Sequence, residues 1–177
     1  HLPNWSESSK KFWESCSAYE RKNGREYREF RFSLPNELSL EENTKIVDEF
    51  LDKTLGKNFY YTAVIHDKEI SSFSGKQNTH CHIMFSERQL DGIERNEKTF
   101  FKRYNSKNPQ LGGAKKIEDF KTEDKLLELR KYTEVLITDY YKKNNLDIEI
   151  SCESLKTQRN IALDNEDYIL ADFLDRD

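Results

Sequence analysis

Three stretches of the chain alternate apolar and polar side chains in the manner of half-buried β-strands. In the first, residues 26–34, apolar side chains fall on one face and charged side chains on the other. Two further runs, at 59–66 and 79–85, are rich in aromatic and β-branched residues. The polar stretch between them is too long for a tight hairpin. We predict that these two runs pair as neighbouring strands.

Other stretches have apolar residues at helical spacing. The sequence SLEE at 39–42 matches a capping box that opens a helix, and Gly56 ends that helix. Residues 105–116 contain a proline and a glycine pair and are predicted to form a loop, and 147–151 to form a short strand. The predicted helices lie at residues 8–21, 39–55, 97–104, 121–144 and 165–174.

Together these elements predict an α+β fold in which helices pack against an antiparallel sheet. With 177 residues, of which 35% are hydrophobic and 12% aromatic, the chain has enough apolar surface for one folded domain, predicted to span residues 1–177. It has no apolar run of the roughly 20 residues that a transmembrane helix needs. Nor does it start like a signal peptide. We therefore expect a cytoplasmic protein without a membrane partner.

The net charge of -4 argues against a protein that coats nucleic acid by bulk attraction. The basic residues are unevenly distributed, however. Several of them gather between positions 98 and 116, whereas acidic residues concentrate at 41–53 and after 164. This distribution is compatible with a basic strip on an acidic body.

Three of the four histidines are spaced so that they can converge on one point. His80 and His82 are two apart in a predicted strand, so their side chains share a face with Cα atoms roughly 7 Å apart. His66 ends the preceding predicted strand and joins them if the two strands lie side by side. Cys81 points the other way and is predicted to be a core residue. The pattern favours a metal site over ordinary strand histidines.

A site of three neutral imidazoles leaves coordination positions open for substrate oxygens and water, as a Lewis-acid site does. Spacing alone chooses neither the metal nor the reaction, because zinc hydrolases and non-catalytic sites also use three histidines. Glu29 is a candidate to accept a hydrogen bond from a ligating imidazole, or a proton from a nucleophile. On pattern alone, a solvated strand carboxylate is an equally good interpretation of Glu29.

Seven short motifs follow one another between Trp13 and Lys116. They are YERKNGR (19–25), LPNEL (34–38), IH (65–66), HCHIMFSER (80–88), DGIER (91–95), FKRYN (101–105) and GGAKK (112–116). In this order they resemble the MobA/MobL family of plasmid mobilisation proteins, which are conjugative relaxases with the HUH endonuclease fold. The resemblance is clear over roughly two thirds of the chain, and DGIER is its most specific motif.

The resemblance implies a relaxase that makes a site- and strand-specific nick in single-stranded DNA at a plasmid origin of transfer. A tyrosine hydroxyl attacks the scissile phosphate and leaves a 5′-phosphotyrosine link and a free 3′-hydroxyl. His66, His80 and His82 match the ligands of Mg²⁺ or Mn²⁺, Glu29 matches a catalytic glutamate beside them, and Glu37 matches a second acidic position. Other mobilisation or transfer proteins are expected as further partners.

Seven side chains are predicted to contact the DNA. The FKRYN motif places two cations beside an aromatic ring, as single-strand grooves commonly do. Two lysines follow the glycine pair, and two arginines stand around the Asp91-Gly92 turn. For each cation a solvated surface position is the competing interpretation. The set is Arg88, Arg95, Lys102, Arg103, Tyr104, Lys115 and Lys116.

Two departures from the family pattern bear on activity. The family's nucleophilic tyrosine lies upstream of every segment seen here, so the first strand and the nucleophile segment are expected to be absent from this chain. SCE at 151–153 stands where relatives often have DHR. Two alternatives therefore stay open: a catalytically silent module that binds origin DNA, and an HUH-type replication initiator or transposase, which would share the histidines but lack the DGIER and FKRYN segments.

Overall fold

Three strands of six residues each form one antiparallel sheet in a computed structural model that describes residues 1–67, 70, 75 and 77–175. The strands are β1 (Arg28–Ser33), β2 (Tyr61–His66) and β3 (His80–Phe85), in the order β1-β3-β2. The predicted pairing of the second and third strands is confirmed, and β1 pairs with the other side of β3. Much of the predicted polar connection between β2 and β3 lies outside the described residues.

Helices make up most of the remaining regular structure, so the predicted α+β class is confirmed. A helix that was not predicted, α5, precedes the last one, and the strand predicted at 147–151 is wrong because that segment is not part of a sheet. Two short 3-10 turns lie at Pro109–Leu111 and Asp119–Lys121. The helices are α1 (Ser9–Tyr19), α2 (Leu40–Thr54), α3 (Glu97–Phe100), α4 (Glu123–Lys143), α5 (Leu155–Asp164) and α6 (Tyr168–Leu174).

Helix α2 has the start and the end that its sequence predicts. The Ser39 hydroxyl accepts a hydrogen bond from the backbone N–H of Glu42, whose carboxylate accepts one from the backbone N–H of Ser39. At the other end Gly56 has φ +49°, a conformation that glycine adopts without steric cost, and its N–H donates to the Leu51 carbonyl at 2.8 Å. These caps fix the length of the helix that covers one face of the sheet.

The inner face of the sheet packs through aromatic rings. Phe30 and Phe32 of β1 lie 5.9 and 4.9 Å from the ring of Phe50 in α2, measured between centroids. Phe85 of β3 lies 4.6 Å from Phe30 in the same way. Because strand side chains alternate, burying these rings directs the intervening residues of β1 and β3 to the opposite face. The histidines therefore lie on the less buried face of the sheet.

A second apolar cluster joins α1 to the segments that follow the histidine strand. It consists of Phe12, Cys16, Phe100, Phe101 and Ala114, all of which are buried. This cluster holds the FKRYN and GGAKK segments next to α1.

The chain divides into two compact units, His1–Leu126 and Leu127–Asp177, and the boundary falls within α4. The first unit contains the sheet and the predicted site. In the second unit α5 packs against α6, where Ala162 and Ala171 are buried. The single domain predicted for residues 1–177 stays a prediction. Among the described residues the helices are too short or too polar to cross a membrane.

Candidate functional site

Three histidine rings meet on the open face of the sheet. The register of β2 and β3 places His66 directly opposite His80, and His82 follows two residues later on the same face. The ring centroids lie 4.9 Å apart for His66 and His80, 5.1 Å for His66 and His82, and 5.0 Å for His80 and His82. The convergence predicted from the spacing is therefore present in the fold.

Two of these rings have their Nδ1 atoms fixed by oxygen acceptors. His80 Nδ1 lies 2.8 Å from the carbonyl oxygen of Asn78, and His82 Nδ1 lies 2.6 Å from Oε1 of Glu29. Because a carbonyl and a carboxylate can only accept, Nδ1 is the donating nitrogen in both rings, and a neutral ring then has its lone pair on Nε2. Metal-ligating histidines commonly have this arrangement.

The side chains of the described residues do not form a finished metal site: no three His, Cys, Asp or Glu side chains among them already have ligating geometry. The ring spacing nevertheless suits one ion, because ligating nitrogens about 2.1 Å from it would place ring centroids about 5 Å apart. A side-chain ring turns more easily than a strand moves, so the backbone already places the three rings at a spacing that suits one ion. Rotation of the imidazole rings about their side-chain bonds would allow all three histidines to ligate one metal ion.

Cys81 is excluded as a ligand by its position. It is fully buried on the inner face of β3, as predicted, and burial raises the pKa of its thiol to about 12. A metal-ligating cysteine must be a thiolate, which this environment disfavours.

Glu29 stands where a carboxylate that orients a histidine would stand. It lies on the open face of β1, opposite Met84 in the register, and reaches diagonally to His82. About 42% of its side chain is exposed, so the carboxylate is also accessible to a substrate. Its catalytic role stays a prediction.

Glu37 is an exposed residue of the loop between β1 and α2. The neighbouring Asn36 ties this loop to the segment before β3: its Nδ2 donates to the Gln77 carbonyl at 3.0 Å, and its Oδ1 accepts from the Thr79 N–H at 3.1 Å. The loop is thus joined to the residue that precedes His80. In the sequence Asn36 appeared only within the LPNEL motif, which gave no signal of this contact.

Arg88 is buried and does not support the predicted DNA contact. All five of its N–H groups donate inside the protein: two to the Glu20 carboxylate at 3.0 and 2.9 Å, and three to the carbonyls of Phe101, Lys102 and Ala114. Only 2% of its side chain is exposed. A guanidinium so committed has no donor left for a phosphate.

Arg95 likewise donates inward instead of toward DNA. It pairs with both carboxylate oxygens of Asp91, at 2.6 and 2.8 Å, and donates to the carbonyls of Ile93, Pro109 and Gly112. The DGIER motif therefore has a structural role: its Arg95 side chain hydrogen-bonds the loop that precedes GGAKK. Sequence spacing could not show whether Arg95 is a buried hydrogen-bond donor or a surface cation, because its partner carbonyls lie up to 17 residues away.

We expect the Asp91–Arg95 pair to contribute stability that depends on pH. The hydrogen bond from Arg95 lowers the pKa of Asp91 below its ordinary value of 3.8. The contribution is therefore present above that value and is lost as pH falls through the lower pKa of the folded state. In urea unfolding near neutral pH, the free energy of unfolding should be higher for the wild type than for Asp91→Asn. This difference should become smaller below pH 3.8. A difference in free energy of unfolding that does not change with pH would contradict the proposed contribution of the Asp91–Arg95 pair.

The remaining predicted DNA contacts are divided between the surface and the interior. Lys102, Arg103 and Lys115 are exposed and Tyr104 is half-buried. Lys116 instead turns inward, where its Nζ pairs with Glu20 at 3.2 Å and donates to the Arg25 carbonyl. Lys116 is half-buried and thus belongs with Arg88 in the charge cluster around Glu20, and its predicted DNA contact is not supported either.

Comparison with solved structures places the fold among known proteins. The chain is similar to a structure described as "Molecular Basis of Vancomycin Resistance Transfer in Staphylococcus aureus", with a TM-score of 0.60 and 25% sequence identity. The similarity covers 87% of this chain and 73% of the other.

Sequence comparison finds two curated relatives. Mobilization protein A of Escherichia coli is 42% identical over 122 residues, and the 43 kDa relaxation protein of Salmonella typhimurium is 36% identical over 117 residues. These regions are 68% and 66% of this chain but only 16% and 31% of the relatives. A model of the MobA/MobL family matches residues 1–166. The chain therefore belongs to the MobA/MobL family.

Proposed function

We propose that this chain belongs to the DNA-nicking part of a mobilisation relaxase. The proposed activity is a metal-dependent, site- and strand-specific cleavage of single-stranded DNA at a plasmid origin of transfer, through a 5′-phosphotyrosine intermediate. The observation that carries the proposal is the convergence of His66, His80 and His82 beside Glu29. The family match and the relatives' names, a mobilization protein and a relaxation protein, support it.

The histidines are proposed to hold Mg²⁺ or Mn²⁺ through Nε2. When bound, such an ion polarises a phosphate oxygen and stabilises the negative charge that develops during cleavage. Glu29 accepts the Nδ1–H of His82 and so keeps that ring in the tautomer that presents Nε2. The Asn78 carbonyl does the same for His80.

The proposed reaction is a phosphoryl transfer. The oxygen of a tyrosine hydroxyl forms a bond to the scissile phosphorus, the bond from phosphorus to the 3′-oxygen breaks, and that oxygen gains a proton. The exposed carboxylate of Glu29 is a candidate to take up the tyrosine proton. Glu37 is proposed as a second acidic group; it follows Asn36, which is hydrogen-bonded to the residue before β3.

The position of the histidines on the sheet suits a polymeric substrate. Among the described residues, the open face also carries exposed Arg31, Ser33 and Val64, so this part of the sheet leaves the rings accessible. Single-stranded origin DNA and other mobilisation or transfer proteins are the proposed partners. A cytoplasmic location follows from a plasmid substrate.

Calorimetric titration with Mn²⁺ and Mg²⁺, combined with a cleavage assay, tests the proposal. The wild type should bind, and a His66→Ala, His80→Ala, His82→Ala triple variant should not. The cleavage assay uses the complete polypeptide as the cell makes it and labelled single-stranded origin DNA. Metal-dependent cleavage with a covalent protein–DNA product supports a relaxase; metal and DNA binding without cleavage would identify a silent binding module instead.

Glu29→Gln is expected to weaken Mn²⁺ binding by about tenfold, because a neutral amide holds the His82 Nδ1–H less strongly than a carboxylate does. Ser33→Ala is a matched control on the same strand and face, opposite His80 in the register. Equal Mn²⁺ affinity of Glu29→Gln and the wild type would refute the orienting role of Glu29.

A further inference from the structure

The side-chain amide of Asn36 pairs with the segment before β3 as a strand backbone would. One backbone bond extends the ladder of β1 and β3 beyond the strands: the Leu34 N–H donates to the Thr79 carbonyl at 2.8 Å. Pro35, the next residue, has no N–H to donate. Asn36 then donates from Nδ2 to the Gln77 carbonyl at 3.0 Å and accepts the Thr79 N–H at Oδ1, at 3.1 Å. One side chain thus serves a donor and an acceptor two residues apart.

The bond to Thr79 fixes the peptide group that orients His80. The N–H of Thr79 and the carbonyl of Asn78 belong to the same peptide group, which is planar, and in a trans peptide they point in opposite directions. Asn36 holds the N–H side of this group, and the carbonyl side lies 2.8 Å from Nδ1 of His80. Turning the peptide group away from Asn36 would therefore also turn the carbonyl away from the ring.

Helix α2 anchors the loop that carries Asn36. Asn43, in the first turns of α2, donates from Nδ2 to the Pro35 carbonyl at 2.9 Å. Asn43 is 1% exposed, and Thr79 is exposed to the same small extent. The N–H of Thr79 would lack its partner without Asn36, and buried backbone donors are rarely left unpaired. Hydrogen bonds thus connect α2, through Asn36 and one peptide group, to the ring of His80.

We infer that Asn36 is a positioning residue for His80, because it keeps the Asn78 carbonyl on Nδ1 and so leaves Nε2 free to ligate. This inference rests on the proposed function, in which Nε2 binds the metal ion. A neutral imidazole carries its proton on either nitrogen, and the hydrogen bond made by one nitrogen decides which form is present. His82 is held by the carboxylate of Glu29 instead, so the two rings can be altered separately.

Nitrogen-15 NMR of the histidine rings tests this role in the metal-free protein, under conditions in which the rings are neutral. Asn36→Ala should move part of the His80 population to the form protonated on Nε2 and leave His82 unchanged. Asn58→Ala, which truncates another exposed asparagine, should change neither ring. A general loss of structure would not alter one ring alone. Wild-type ring signals for His80 in Asn36→Ala would overturn the inference.

A conservative variant separates the two bonds of Asn36. Asn36→Asp keeps an acceptor for the Thr79 N–H but cannot donate to the Gln77 carbonyl. Its His80 signals should therefore stay closer to those of the wild type than the signals of Asn36→Ala do. A shift as large as in Asn36→Ala would contradict the part assigned to the Thr79 N–H. Both variants should fold, because the side chain of Asn36 is exposed.

Calorimetry with Mn²⁺ connects the ring to the metal. Asn36→Ala should weaken binding several-fold, which is less than the about tenfold expected when a direct orienting partner is lost. If the wild type binds Mn²⁺ and Asn36→Ala binds it equally well, the inference fails and the proposed function stands. If the wild type binds no Mn²⁺, the proposed function fails, and the ring signals alone decide whether Asn36 positions His80.

Discussion

Replacing His82 with alanine is expected to abolish specific divalent-metal binding while the fold stays intact. His82 is the ring that Glu29 orients, and two remaining imidazoles would hold an ion far more weakly than three. Removing an orienting partner alone costs 10–100-fold in metal affinity, so the loss of a ligand should exceed about 100-fold. The side chain is 27% exposed on the open face, outside the aromatic core, so the free energy of unfolding without metal should change little. Calorimetry with Mn²⁺ and urea unfolding measure the two quantities.

The cross-strand neighbour of His82 supplies the control for this experiment. Val64 pairs with His82 in the register and is exposed on the same face. Val64→Thr keeps the branched side chain and should retain wild-type Mn²⁺ affinity. An unchanged affinity in His82→Ala would rule out the three-histidine assignment, whatever the cleavage assay shows.

Replacing Arg88 with methionine is expected to lower the free energy of unfolding by about 3–5 kcal/mol, the usual cost of removing one member of a buried ion pair. Glu20 would keep Lys116 and the backbone N–H of Arg21 as partners but lose its guanidinium, and three carbonyls would lose a charged donor. Burial on its own raises the pKa of Glu20, but the hydrogen bonds and charge of Arg88, together with the Arg21 N–H and the charge of Lys116, outweigh it and lower that pKa. The carboxylate is therefore charged in the folded protein and depends on Arg88.

Two further variants show whether the loss of the Arg88–Glu20 ion pair causes the lower free energy of unfolding. Lys45→Ala breaks an exposed pair with Glu41 and should leave the free energy of unfolding nearly unchanged, because solvent screens such a pair. Adding Glu20→Gln to Arg88→Met should cost less than the sum of the two single changes, since the unpaired buried carboxylate is then removed. Strictly additive losses in urea unfolding would contradict the coupling of Glu20 to Arg88.

Local pattern predicted the strands and most of the helices, and its two errors have different causes. The alternation at 147–151 persists in the structure as alternating burial, but no strand pairs with that segment. An extended segment can bury alternate side chains against a neighbouring element without a sheet partner. Helix α5 has few apolar residues, and a run of five polar residues at 156–160 separates Leu155 from Ile161, so periodicity gave too weak a signal.

The sequence by itself determined that His80 and His82 share a face, because strand geometry alone fixes the direction of residues two apart. It also determined the limits of α2, whose capping residues act on their immediate neighbours. Only the tertiary structure decided that His66 lies opposite His80, since strand register depends on how the whole sheet packs.

The limit between local pattern and tertiary structure also explains why Arg88 was predicted to contact DNA and is buried instead. Charge and position in the sequence made Arg88 a candidate for DNA contact, yet its partner Glu20 is 68 residues away and its carbonyl acceptors lie on two other segments. A guanidinium donates equally well to a phosphate and to a buried carboxylate. Which of them it meets depends on which segments the folded chain brings together, and no local pattern encodes that.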